Sequence, residues 1–224
     1  MSYYIKSLYN FLDSLSANNN REWFEQHRSE YETLRALWLE DIDRLISNMS
    51  QWDPDLASQT ARSSAYRIYR DTRFSKDKTP YKTFFSASIA RGGRKSPYAG
   101  FYIEIGNAQF YDQGLYGGLW CPSAELLRKM RHAIVDNIEE WEEIVNEPRL
   151  IDQFPGWCVN RLKTIPKGWD RNHPQREYLR MTNYGKFHPC TRQFYLDPAW
   201  PERSAELFHI LDPLIRFLNY TIDE

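Results

Sequence analysis

The stretch that decides the fold is "YAGFYIEIG", residues 98–106. Ala99, Phe101, Ile103 and Ile105 alternate with Tyr102 and Glu104. That period of two gives a strand one apolar face and one polar face. "KTFFSASIAR" (82–91) before it and "QFYDQGLYGG" (109–118) after it read as its neighbours. The connections, "GGRKSP" (92–97) and a Gly106–Asn107 turn, are short enough for hairpins. The reading is an antiparallel meander over about residues 62–117, with a further strand near 62–70.

On both sides of this block the period becomes helical. Ile5, Leu8, Leu12 and Leu15 predict a short amphipathic helix, broken by "NNN" at 18–20. Asn19 followed by Glu22 resembles a capping box, opening a helix to about Met49 along Trp23, His27, Tyr31, Leu34, Trp38, Ile42, Leu45 and Met49. Helices return at "CPSAELLRKMRHAIVDNIEEWEEIVNE" (121–147), with Pro122 suited to a first turn. "PKGWDRNHP" (166–174) is a loop and "PQREYLR" (174–180) a short helix. A last helix from near Pro201 carries Leu207, Ile210, Leu211, Leu214, Ile215 and Leu218 on one face, with Pro213 bending it. With no repeat or linker, the expectation is a single α+β domain over residues 1–224, its sheet packed against N-terminal and C-terminal helices.

Bulk properties narrow the function classes. The 224 residues carry a formal net charge of −1, so sequence-independent affinity for long nucleic acid is not expected. Cys121, Cys158 and Cys190 stand far apart without a Cys-x-x-Cys pair, which fits neither a disulfide framework nor a zinc site and suits a reducing compartment. No apolar run approaches the roughly 20 residues of a membrane span. "MSYYIKSLYNFLDSL" lacks the regions of a signal peptide, so the expected location is cytoplasmic, with no membrane partner.

Against that neutral background, "YRIYRDTRFSKDKTPYKT" (66–83) stands out. It holds six basic residues (Arg67, Arg70, Arg73, Lys76, Lys78, Lys82) and two acidic ones (Asp71, Asp77), leaving +4 locally. At about 8 Å and an effective dielectric near 20, each like pair costs roughly 2 kcal/mol, so a convergent cluster needs anions. Three sources are open. Asp71 and Asp77 neutralise two charges. The acidic run from Asp136 to Glu147, six carboxylates without a base, would give a purely structural salt-bridge cluster. An anionic ligand is the third, with Arg67, Arg70 and Arg73 as guanidinium forks on a phosphate or carboxylate, Lys76, Lys78 and Lys82 adding field and Tyr81 a hydroxyl or ring. Asp71 belongs to the same candidate set. The mixture of aromatic and basic residues also suits single-stranded nucleic acid or a protein partner without catalysis.

"NNNREWFEQHRSEYE" (18–32), "YRIYRDTRFSKDKTPYKT" (66–83), "GGRKSPYAGFYIEI" (92–105), "GGLWCP" (117–122) and "PKGWDRNHPQREYLR" (166–180) occur in that order. Together they resemble the domain of unknown function 2461 family, a conserved hypothetical family of bacteria and fungi. The resemblance spans nearly the whole chain. It implies a single-domain cytoplasmic protein and carries no assigned reaction. After "LR" near residue 180 the family tends to carry a Lys where this chain has Thr182.

Other chemistry is thinner. Glu104 and Asp112 lie on adjacent predicted strands, and as paired carboxylates beside a basic cluster they would hold Mg²⁺ against a phosphate in a phosphoryl or phosphodiester hydrolase. No cofactor is otherwise evident. The five histidines (27, 132, 173, 188, 209) show no ligand spacing, and His173 reads as a helix cap. "FHPC" places His188 near Cys190, but adjacency does not make a dyad. "GGRKSP" lacks the Walker pattern and reads as a hairpin with Arg94 and Lys95 exposed. Trp23 and Trp120 are candidates for walls of one cleft.

Overall fold

A computed structural model describes residues 3–106 and 113–224. In chain order the elements are α1 (Ile5–Ala17), α2 (Arg21–Gln26), α3 (Arg28–Met49), a 3₁₀ turn (Pro54–Leu56), α4 (Ala61–Ser64), β1 (Phe84–Ala90), β2 (Gly100–Gly106) and β3 (Gly114–Leu119). They continue as α5 (Ala124–Asp136), α6 (Ile138–Val145), α7 (Pro148–Gln153), α8 (Arg176–Leu179), β4 (Tyr184–Pro189), α9 (Arg192–Leu196) and α10 (Trp200–Asp223). The fold is α+β, with a four-stranded antiparallel sheet in the order β1-β2-β3-β4.

The alternation in β2 works as its sequence predicts. Phe101, Ile103 and Ile105 are buried on the face that meets the helices. Phe101 meets Phe208 of α10 at 5.1 Å between ring centres, and Phe85 of β1 meets Trp38 of α3 at 5.5 Å. A side chain at Gly117 would collide with Leu211 of α10, so this helix lies close on β3. The buried apolar residues form one cluster running from Ile5 to Leu218.

Several boundaries differ from the sequence reading. Residues 62–70 form no strand. Thr60 caps the short helix α4, and the chain then joins the sheet edge through an Ala65–Ala87 bridge and a Tyr66 N–H bond to the Ser86 carbonyl. The fourth strand is β4, delivered by the long excursion after β3; the polar and aromatic mixture of "YGKFHP" carries no strand alternation. The capping residue of α2 is Asn20, which accepts from Trp23 N–H, because Asn19 is engaged elsewhere. One long helix to Met49 is instead α2 and α3, divided at His27. Ser123, not Pro122, opens α5 by accepting from Leu126 N–H. Asn107 of the predicted turn and Asp112 lie outside the described residues.

Candidate functional site

Strand register leaves the second face of the sheet as the floor of a cleft of about 890 Å³, within the range of small-molecule sites. Ser86 pairs with Glu104, and Ser88 with Tyr102 and then Tyr116. The next row in register is Ala90, Gly100, Gly118 and Gly185, with no side chain larger than a methyl. One end of the cleft is therefore polar and the other bare, edged by Trp120, which is 56% exposed.

Among the described residues two cationic side chains, Lys82 and Arg94, line this space against one carboxylate, Glu104. Both lie near the Tyr66 ring, Lys82 Nζ at 4.9 Å and Arg94 Cζ at 5.7 Å from its centre. Arg94 also donates to the Ala65 carbonyl. Lys186, in register with Gly117, turns its side chain to the helix-facing side of the sheet: it is 3% exposed, its Nζ donating to the carbonyls of Phe154 (3.2 Å) and Gly156 (3.4 Å) and lying 4.8 Å from the Trp157 ring centre. None of the three makes an ion pair with a carboxylate among the described residues. Burial pushes the Lys82 ammonium below the usual lysine range, against the opposing pull of Glu104. Burial likewise lowers Lys186.

Glu104 is 8% exposed. The Tyr102 hydroxyl donates to its Oε2 at 2.6 Å. Burial raises its carboxyl above the usual range; Tyr102 and Lys82 offset this only in part.

The predicted arginine clamp does not assemble. Arg70 donates to Asp77 at 2.5 Å and to the Thr79 hydroxyl. Arg73 grips Asp71 with two nitrogens and is exposed. Short-range carboxylates reach these guanidiniums before any common recess can, so each fork closes within its own loop. Backbone N–H bonding from Thr79, then Arg70, holds Asp77 at about 2, and hydrogen bonding from Arg73 holds Asp71 at about 2. Arg67 is exposed, beside Arg35, Tyr31 and Trp38. Lys76 is exposed, and Lys78 donates to the Thr72 carbonyl at 2.8 Å. Tyr81 is buried, stacked on Phe24 at 4.0 Å. Of the predicted set, only Lys82 and Glu104 among the described residues share the cleft. Sequence reasoning missed Arg94 and Tyr102 as their companions; the only signal for Tyr102 was its place beside Glu104 on the polar side of the β2 alternation.

The remaining candidates separate. Trp23 stacks on His27 at 3.9 Å, away from the cleft that Trp120 lines. His188 Nδ1 is 2.6 Å from the Gln153 carbonyl, and burial pushes the Cys190 thiol up to about 12, so the pair makes no nucleophilic dyad. His173 Nδ1 accepts from Gln175 N–H at the start of α8. Thr182 donates to the Asn160 carbonyl at 3.1 Å. No ion pair joins residues 66–83 to residues 136–147 among the described residues. Among them, too, no three His, Cys, Asp or Glu side chains are grouped to hold a metal ion, and no helix is long and apolar enough to cross a membrane.

No curated protein matches the chain, and no solved structure does. Residues 7–217 match the family model described as conserved hypothetical protein (DUF2461), and the chain belongs to that family of unknown function.

Proposed function

We propose that the sheet-face cleft binds a small anionic molecule, a phosphate-bearing one in its simplest form, and that Glu104 serves it as a general acid. The observation that carries this reading is the charge inventory of the cleft: Lys82 and Arg94, neither in an ion pair among the described residues, beside one buried carboxyl whose pKa burial raises. An anion between Lys82 and Arg94 gains charge-assisted hydrogen bonds in a partly desolvated space, where they are strongest. The basic motif of residues 66–83 contributes Lys82 and Tyr66 to this site and keeps its arginines for its own loop. The reaction class that fits is hydrolysis of a phosphate ester. Water forms the new bond to phosphorus as the ester P–O bond breaks and yields its proton to the phosphate product or to solvent. Glu104 passes its proton to the departing alkoxide, and the cations offset the charge on the phosphoryl oxygens.

Isothermal titration and thermal shift with inorganic phosphate and a simple aryl phosphate test the reading on wild type, Lys82→Met and Arg94→Met. Wild type is stabilised, and each variant binds at least tenfold more weakly, equivalent to about 1.4 kcal/mol. A wild type that no phosphate stabilises ends the proposal, as do variants that bind as well as wild type.

A further inference from the structure

The basic loop that the cleft leaves unused has a form of its own. Its root is closed by a Tyr69–Tyr81 bridge, Arg70 N–H to the Pro80 carbonyl (2.9 Å) and Lys82 N–H to the Ile68 carbonyl (2.7 Å). Above the root, Arg70 ties to Asp77, and Lys78 reaches across to the Thr72 carbonyl. Asp71 and Asp77 each close a turn on the backbone N–H two residues on. This bracing holds Phe74 at the tip with 96% of its surface exposed. Leaving a phenyl ring in water forgoes the free energy of its burial. A braced loop that presents such a ring among Arg73, Lys76 and Lys78 has the character of a docking arm.

The same chain carries the matching surface. Asp136, Glu139, Glu140, Glu142, Glu143 and Glu147 are all exposed, and none enters an ion pair among the described residues. Glu140, Glu143 and Glu147 follow one another at helical spacing along α6 and just past its end. Beside Glu140 stands Tyr220 of α10, 68% exposed. One patch is an aromatic ring among cations, and the other an aromatic ring among carboxylates. Within one molecule they do not meet.

We infer that the arm of one copy of this chain docks on the acidic α6–α10 face of another. A nucleic acid fits the arm less well. Stacking successive bases takes several free rings, whereas Tyr66 faces the cleft and Tyr69 packs near Phe24 and Tyr81. The contact is head-to-tail, since the two surfaces differ, and it builds rings or open chains rather than a two-fold dimer. Its attraction is largely ionic, so salt weakens it.

Sedimentation velocity over a concentration series tests this at low ionic strength and in about 1 M salt, where the screening length is ~3 Å. Wild type associates in the first condition and disperses in the second, and Phe74→Ala weakens association at least tenfold. Arg73→Glu/Lys76→Glu and Glu140→Lys/Glu143→Lys are each monomeric alone, with melting temperatures near that of wild type. An equal mixture of the two associates again, because each then meets a copy of opposite charge. A wild type that stays monomeric at low ionic strength overturns the inference, and so does a mixture that stays monomeric. Loss of binding to a fluorescent single-stranded oligonucleotide in Arg73→Glu/Lys76→Glu, on a monomeric wild type, overturns it in favour of nucleic acid. None of these readouts depends on phosphate binding in the cleft.

Discussion

Asn19 makes with Tyr81 both of the hydrogen bonds that a neighbouring strand would make. Its Nδ2 donates to the Tyr81 carbonyl at 2.9 Å, and its Oδ1 accepts from Tyr81 N–H at 3.1 Å. The turn between α1 and α2 is thereby stitched to the root of the basic loop, where the Tyr81 ring lies flat on Phe24. One carboxamide sets where the loop leaves the core.

Asn19→Ala leaves a backbone donor and acceptor of a buried residue without partners. Each unmade bond of this kind costs about 1–3 kcal/mol. The expected loss in urea denaturation is therefore about 2–4 kcal/mol. Asn19→Asp keeps the acceptor and removes the donor, and should lose less. A loss below about 0.5 kcal/mol for the alanine variant would show that the turn is held by other contacts.

Glu104 gives a pH dependence with a definite sign. Its folded value is raised, so between the ordinary glutamate value near 4.3 and that raised value the folded chain binds more protons than the unfolded one. Stability contributed by this carboxyl is present at acid pH, falls as pH rises through the window and is level above it. Glu104→Gln removes the term. The stability difference, variant minus wild type, is expected to grow with pH across the window and then to plateau. Urea midpoints measured from acid to neutral pH check this, and a difference that shrinks with pH would contradict the raised value.

Lys82 and Arg70 belong to one motif and separate by location. Lys82 faces the cleft, and Arg70 is spent on Asp77 and Thr79. Arg70→Ala should leave phosphate affinity within about twofold while loosening the loop, whereas Lys82→Met costs at least tenfold, about 1.4 kcal/mol. Calorimetric titration of both variants decides the matter. Equal losses would return the arginines to the site.

Gly118 and Gly185 pair in register but tolerate change differently. A Cβ on Gly118 would meet the Tyr184 carbonyl at 2.0 Å, and its φ of +141° suits glycine alone. Gly118→Ala is expected to cost about 3 kcal/mol or more, from the clash and the strained backbone together. At Gly185 the nearest atom to an added Cβ is 3.7 Å away, so Gly185→Ala should stay within about 1 kcal/mol. Thermal melting of the two variants provides the comparison.

The sequence by itself determined the helices with an apolar stripe and the central strand, because a period of two or of 3.6 is written in consecutive residues. Ile5 to Leu15 and Phe101 to Ile105 are legible in that way, and so is Glu104 on the polar side of its strand. What it could not contain is which charge meets which. Arg70 and Arg73 looked like a clamp because six cations in one segment must be neutralised; that their neighbours Asp77 and Asp71 supply the neutralisation is a matter of loop geometry. Gly185 completes the cleft floor from a strand that returns some seventy residues after β3 began, and Arg94 reaches the cleft from a hairpin that reads as exposed. Only the tertiary structure brought these to Lys82 and Glu104. A pocket's charge balance is a sum over groups distant in the chain, and each group's protonation is set by burial that no local pattern encodes.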